Sequence, residues 1–434
     1  MTAARPGHRA TTRHAQAIYP FMAAGGLGGR GVFVGRDSSG GAFCYDPWVL
    51  YGDGALDDPN AIVLGKLGQG KSALVKTLLW RMLLFGRRAF VLDVKREYGP
   101  LCQAVGVSPI SLVPGGGVRL NPLASRPEEH AQLELLRAVA VTALGGALTQ
   151  IEAGALREAL RVVRDSGGSA PAEPTLPEIA AVLFAPSGEM AARLRTSCEA
   201  LARDVRRCAL ALQDLCEGPL RGMFDGPTSA GEKTWDAPAI SLDVSPLAGL
   251  ALDPAALAIA MICATTFLDA KRHQRTREAR RAGREPEKTI RANDEGWRAL
   301  PVPGLAEYYQ QNFKLSRETG VQHIVVLHRF SDLSSAGEAG SRAQQLAEGL
   351  VSETATRVIY RQAEQEEEMT ARVVGLSSTE QRIIARELGQ GEGLWRIEGR
   401  SFRVRHLTSS TEWPLIQTDR AMGLRRPLTT GARS

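Results

Sequence analysis

The sequence predicts an α/β protein built on a mostly parallel central sheet and interrupted by a helical insertion. Three observations predict it. Ala61-Ile-Val-Leu64 is a short apolar run that enters a glycine-rich loop, and Ala73 to Leu84 follows with helical spacing. Ala89-Phe-Val-Leu-Asp93 is a second apolar run after Gly86-Arg-Arg88, so strand, helix and strand form a βαβ unit. Between about Ala124 and Trp235 the apolar period changes to three and four, and strand-like runs then return.

The elements follow in order. Residues 1–30 form a basic N-terminus closed by a glycine-rich bend at Gly25 to Gly31. Gly31-Val-Phe-Val-Gly35 and Ala42-Phe-Cys-Tyr45, joined by a Ser/Gly turn, read as a hairpin. Residues 31–123 are the first part of the main domain, 124–235 the insertion, 236–405 its second part and 406–434 a polar tail. Within the insertion, Glu128 to Leu148, Ile151 to Val163 and Met190 to Leu215 read as helices. Strands are expected at 239–243, 289–293, 323–327 and 357–360, separated by helices at 254–270, 304–317 and 340–353. A hairpin over 393–405 closes the fold.

Composition limits the classes of function. The chain has 434 residues, 44% hydrophobic and 23% charged, enough for a substantial core. This excludes a disordered, collagenous or disulfide-scaffold protein. The apolar run Pro254 to Leu268 is 15 residues, short of the ~20 that cross a bilayer. No signal-peptide pattern follows Met1, and six cysteines show neither CxxC nor zinc spacing, so a cytosolic chain with reduced thiols is expected. Of the net charge of +6, most resides in Lys271 to Lys288, where eight basic residues face three acidic ones. That stretch is either a solvated helix end or a contact for nucleic acid or an acidic partner.

The strongest chemical signal is Gly65-Lys-Leu-Gly-Gln-Gly-Lys71-Ser72, a match to GxxxxGK[ST]. Glycines let backbone N–H groups wrap phosphates, and the helix N-terminus favours negative charge. The nucleotide-binding set is therefore Gly65, Gly68, Gln69, Gly70, Lys71, Ser72 and Ala73. Lys71 reaches the β- and γ-phosphates, and the Ser72 hydroxyl holds Mg²⁺. The cofactors are ATP and Mg²⁺.

A second carboxylate site is expected at the end of another core strand. Asp294-Glu295 serves best: Asp294 holds Mg²⁺ through water and Glu295 orients and deprotonates the attacking water. Arg291 and Asn293 make its strand less apolar than usual. Asp243 is a rival, but without a following Glu it cannot fill both roles. Asp93 and Glu97 are assigned to the nucleotide site because they follow the strand expected next to the loop strand. His328-Arg329 ends another strand, which would bring Arg329 near the γ-phosphate.

In order, these motifs resemble the motor domain of the type IV secretion and conjugation ATPases of the TraC kind, in the HerA–FtsK superfamily. The resemblance is carried by Gly35-Arg-Asp37, Phe43-Cys-Tyr-Asp-Pro47, the glycine loop and Leu92-Asp-Val-Lys-Arg-Glu-Tyr-Gly-Pro100. It continues through Arg119-Leu-Asn-Pro122, Ser241-Leu-Asp-Val244, Asp294-Glu-Gly-Trp297, Leu327 to Leu333, Gly375-Leu-Ser377 and Leu388-Gly-Gln-Gly-Glu392. It spans about residues 31–405.

The resemblance implies a RecA-like P-loop NTPase working as a homo-hexamer. Its place would be the cytoplasmic face of the membrane, against a membrane-embedded secretion or conjugation complex, with DNA as a further partner. It also implies an arginine supplied in trans, for which Arg357 or Arg361 is chosen. The family usually carries a glutamine where this chain has His328-Arg329, and a larger domain ahead of the motor. A double-stranded DNA translocase and a nucleotide-gated scaffold with slow turnover are the alternative readings.

Overall fold

The computed structural model describes residues 26–121, 123, 129–166, 173–229, 236–248, 254–294, 305–329, 349–351 and 354–417. The strands are β1 (Val32–Asp37), β2 (Ala42–Tyr45), β3 (Ala61–Leu64), β4 (Arg88–Asp93), β5 (Ile110–Ser111) and β6 (Ala239–Asp243). They continue with β7 (Thr289–Asp294), β8 (Val321–Leu327), β9 (Thr356–Ile359), β10 (Glu392–Ile397) and β11 (Arg400–His406). All join one 11-stranded sheet in the order β2-β1-β11-β10-β9-β3-β8-β7-β4-β6-β5. From β9 to β5 every pairing is parallel. The N-terminal and C-terminal hairpins extend the sheet antiparallel beyond β9.

Strand β3 is buried along its whole length, as a central parallel strand covered on both faces must be. Alternate residues enter different cores. Val63, Val91, Ala292 and Val326 pack with Leu74, Leu79 and Met82 of helix α1 (Lys71–Leu84). Ile62, Leu64, Phe90 and Leu242 enter the opposite core. That second core is continuous with the insertion, whose main helices are α2 (Glu129–Leu144), α3 (Gln150–Asp165), α4 (Leu176–Phe184) and α5 (Arg206–Glu217).

The helix expected over 190–215 is three helices, 188–193, 198–204 and α5. Arg195 turns left-handed (φ 54°), and the hydroxyls of Ser187 and Ser197 cap two fresh N-termini. Helix α4 was not anticipated, although Thr175 and Glu178 form a capping box at its start.

Helix α6 (Pro254–Arg281) runs eleven residues past the expected Ala270. Its basic end is not simply solvated. Arg272 lies 3.7 Å from Asp269 and donates to the Thr319 carbonyl, and Arg275 pairs with Asp236 at 2.6 Å. Helix α7 (Leu305–Lys314) gives way to a separate turn at 316–319, so the expected 304–317 helix is divided. Most of the helix expected over 340–353 lies outside the described residues. Helix α8 (Glu364–Val374) is an addition. The tail expected from residue 406 is still folded there: His406 ends β11, and a helix over Trp413–Ile416 follows. It is fastened to α1 by the bidentate Arg81–Glu412 pair.

Candidate nucleotide-binding site

The glycine loop joins β3 to α1 at the C-terminal edge of the parallel sheet. Gly65 (φ 149°) and Gly70 (φ 105°) hold backbone conformations that L side chains rarely adopt. At Gly65 space also forbids a side chain, because a Cβ would lie 2.5 Å from the Tyr360 Cβ. Lys71 is buried, and its ammonium donates to the carbonyls of Gly65 and Lys66. Ser72 and Ala73, in the first turn of α1, are half-buried.

The outer side of the loop is braced by the far end of the chain. The Gln390 amide donates to the Gly68 carbonyl at 2.9 Å, and the Gly391 N–H donates to the Gln69 carbonyl at 3.0 Å. From the segment just after β9, the Arg361 carbonyl accepts the Lys66 N–H at 2.9 Å. With the Gly68 and Gln69 carbonyls engaged in this way, the loop N–H groups that follow Lys66 can turn to an anion. The loop, the half-buried Ser72 hydroxyl and the buried Asp294 carboxylate together fit a nucleoside triphosphate with Mg²⁺.

Asp294 is the last residue of β7 and is buried. Only β8 separates β7 from β3, so the carboxylate and the loop end parallel strands one strand apart in the sheet. Its side chain follows Ile290 and Ala292 onto the α1 face of the sheet. There its Oδ2 accepts the Tyr98 hydroxyl at 3.1 Å. Burial and the neighbouring carboxylates hold the Tyr98 phenol far above its ordinary pKa, so it is a donor at neutral pH. Arg291, which weakened this strand in the sequence, faces the other way and pairs with Asp269 of α6 at 2.5 Å. Glu295 follows Asp294 directly and lies outside the described residues. Arg329 is exposed just past the end of β8, between the two strands that carry the loop and Asp294.

Asp93 and Glu97 are not beside the loop strand. β8 and β7 both intervene between β3 and β4, because neighbouring strands in sequence need not pair. Asp93 stands in register with Asp294 on one side and Asp243 on the other. Its carboxylate accepts the N–H groups of Lys95, Glu97 and Tyr98, closing the turn after β4. Burial raises its pKa against those bonds. Glu97 pairs at 2.8 Å with Lys76, a fully buried lysine of α1. Asp243 accepts from Ser111 and the Ser245 N–H, farther from the loop.

Arg357 lies within β9, donates to the Val351 carbonyl and stands opposite Arg396, so it is held inside its own chain. Burial and Arg396 lower its pKa. Arg361 is exposed at the lip of the loop. Lys76 was not singled out from the sequence, and Tyr98 and Gln390 entered it only within the motif strings, with no role of their own. Lys76 carried one signal, a lysine one turn after Ser72 on a buried helix face.

Loop, sheet order and strand-end carboxylate define a P-loop NTPase fold of the RecA-like α/β kind. Within that class, residues 60–207 match the family described as "Helicase HerA, central domain". The fold is similar to that of VirB4 of Thermoanaerobacter pseudethanolicus: TM-score 0.68, 23% identity, 89% of this chain and 98% of that one covered. It is also similar to the plasmid coupling protein TrwB in complex with the non-hydrolysable ATP analogue ADPNP. That match has TM-score 0.56 and 16% identity, covering 88% and 90% of the two chains. TrwB in complex with ADP and Mg²⁺ matches at TM-score 0.55 and 14% identity, with 88% and 91% covered. No curated protein matches the chain in sequence. No helix among the described residues is long and apolar enough to cross a membrane.

Proposed function

We propose that the protein is an ATP-hydrolysing motor of type IV secretion or conjugation, assembled as a hexamer on the cytoplasmic side of a membrane channel. The carrying observation is the strand order β3-β8-β7, with the phosphate loop on one outer strand and Asp294 on the other. Likeness in fold to VirB4 and TrwB supports the secretion and conjugation setting. The TrwB complexes support ATP and Mg²⁺ as ligands.

In this reading the loop N–H groups and Lys71 bind the β- and γ-phosphates. Ser72 and Asp294 hold Mg²⁺, which when bound neutralises the charge gathering on the phosphate oxygens. Glu295 orients the attacking water and takes its proton. Arg329 faces the γ-phosphate from the strand between, and a neighbour's arginine completes the site. Since Arg357 is engaged in its own chain, Arg361 is the better candidate of the two for a role at a subunit boundary.

The match to the HerA central domain favours one second reading, a DNA translocase. Steady-state ATP hydrolysis by the full chain beside Glu295→Gln, with and without DNA, tests both. A loss of at least ~100-fold in turnover with nucleotide binding retained supports the motor. Strong stimulation by DNA alone moves the reading to the translocase. Equal, slow turnover in both proteins refutes the motor and leaves a nucleotide-gated scaffold.

A further inference from the structure

The geometry points to Tyr98 as a positioning residue for the Asp294 carboxylate, locked from the phosphate-loop helix by Lys76 and Glu97. This rests on the reading of Ser72 and Asp294 as the pair that holds Mg²⁺. Tyr98 is fully buried, and its hydroxyl is 3.1 Å from Asp294 Oδ2. Its backbone is fixed too, with its N–H donating at 2.9 Å to Asp93. The phenol therefore has one place to point.

The lock comes from α1. The Lys76 ammonium sits 5.0 Å from the centre of the Tyr98 ring and 2.8 Å from Glu97 Oε2. Lys76 follows Ser72 by four residues, so both project from one face of the helix, a turn apart. One network, buried except at the partly exposed Glu97, thus runs from the helix that presents Ser72, through Lys76, Glu97 and Tyr98, to Asp294. It couples the two metal-holding side chains although they stand on separate elements.

Chemistry favours positioning over simple packing. A buried lysine–glutamate pair contributes little net stability compared with apolar side chains of the same size. A phenylalanine would fill the ring space at position 98 equally well. What the hydroxyl adds is a fixed orientation for a carboxylate. Loss of such an outer hydrogen bond typically costs metal affinity about 10–100-fold.

The test uses the full chain, with Mn²⁺ as the probe. Free Mn²⁺ is measured by electron paramagnetic resonance in the presence of ADP, and ADP affinity is measured separately in chelator. Tyr98→Phe is expected to weaken Mn²⁺ binding by about tenfold or more, with metal-free ADP affinity unchanged. Asp294→Asn, the control, should lose at least as much.

If Asp294→Asn loses Mn²⁺ affinity while Tyr98→Phe matches wild type, the positioning role is overturned and the metal pair stands. If Asp294→Asn binds Mn²⁺ like wild type, the metal pair itself is wrong and the positioning role falls with it. Should Tyr98→Phe fail to fold, Glu97→Gln, at a partly exposed position, is read by the same ratio. A several-fold loss of Mn²⁺ affinity alone supports the network, and an unchanged ratio overturns it.

Discussion

Arg81→Met should cost about 4 kcal/mol of stability at neutral pH, and the structure shows how that figure arises. Arg81 lies in the last turn of α1, where its guanidinium makes bonds of 2.6 and 2.7 Å to both oxygens of Glu412. It also donates to the carbonyls of Phe33 and Leu407. Methionine keeps most of the stem packing but leaves the Glu412 carboxylate, only 9% exposed, without its cation. Removing one partner of a buried pair costs about 3–5 kcal/mol, and the low end, about 3, applies because the Ser409 N–H still donates to Glu412. The Leu407 carbonyl adds about 1 kcal/mol, and the Phe33 carbonyl can turn to water.

The effect has a pH signature. Burial alone would raise the Glu412 pKa, but the Arg81 bonds, with those of Ser409, outweigh it and the carboxyl is held below its ordinary value. In wild type, this contribution is full above the unfolded carboxylate pKa and is lost as pH falls through the folded one. In Arg81→Met only the Ser409 bonds are left to oppose burial, so the Glu412 pKa rises and protonating it relieves the variant instead. The gap between the two proteins should therefore narrow below about pH 5.

Urea unfolding followed by tryptophan fluorescence at several pH values measures this. The double variant with Glu412→Gln should recover at least about 1.5 kcal/mol of coupling. A cost for Arg81→Met below about 1 kcal/mol, or one constant from pH 7 to 4, would refute the reasoning.

Other outcomes follow from the same contacts. Lys71→Ala should weaken ATP binding about 100-fold or more, measured by competition with a fluorescent nucleotide. Gly65→Ala, forced into φ 149° and against Tyr360, should lower both thermal stability and nucleotide affinity, read by calorimetry and titration. Gln390→Ala removes one neutral hydrogen bond from the loop, so nucleotide affinity should fall about fivefold with little change in melting temperature. Burial depresses the imidazoles of His323 and His406 to about 3. A base whose folded pKa is lowered costs stability as pH drops below its unfolded value near 6.5. Each should therefore remove about 2 kcal/mol by pH 5. His323→Leu should flatten the pH dependence of urea unfolding between 7 and 5, and an unchanged slope would count against it.

The phosphate loop was legible because its glycines and Lys-Ser pair have few other uses together. Asp294 was legible with more difficulty, since Arg291 looked foreign to a core strand. Its partner Asp269 sits on α6, and nothing local shows that α6 will cross that strand. The neighbours of β3 were not legible at all. Asp93 follows the next strand in the chain, yet pairing is decided by which edges long crossovers bring together. The break at Arg195 escaped for a different reason: helical spacing persists on both sides of it, and only the serine caps mark the interruption.

The bracing of the loop by Gln390 and Gly391 bears on the order in which the protein can mature. A ribosome delivers the glycine loop more than three hundred residues before the turn that holds its outer carbonyls. Strand β1 must likewise wait for β11. Pairings so distant along the chain form late and slowly. Nucleotide capture should therefore be a late event in synthesis, and a nascent chain arrested before residue 388 should hold ATP more weakly than one released whole. The early half would spend that interval with the β9 edge of β3 uncovered, the stage at which a chaperone would matter most.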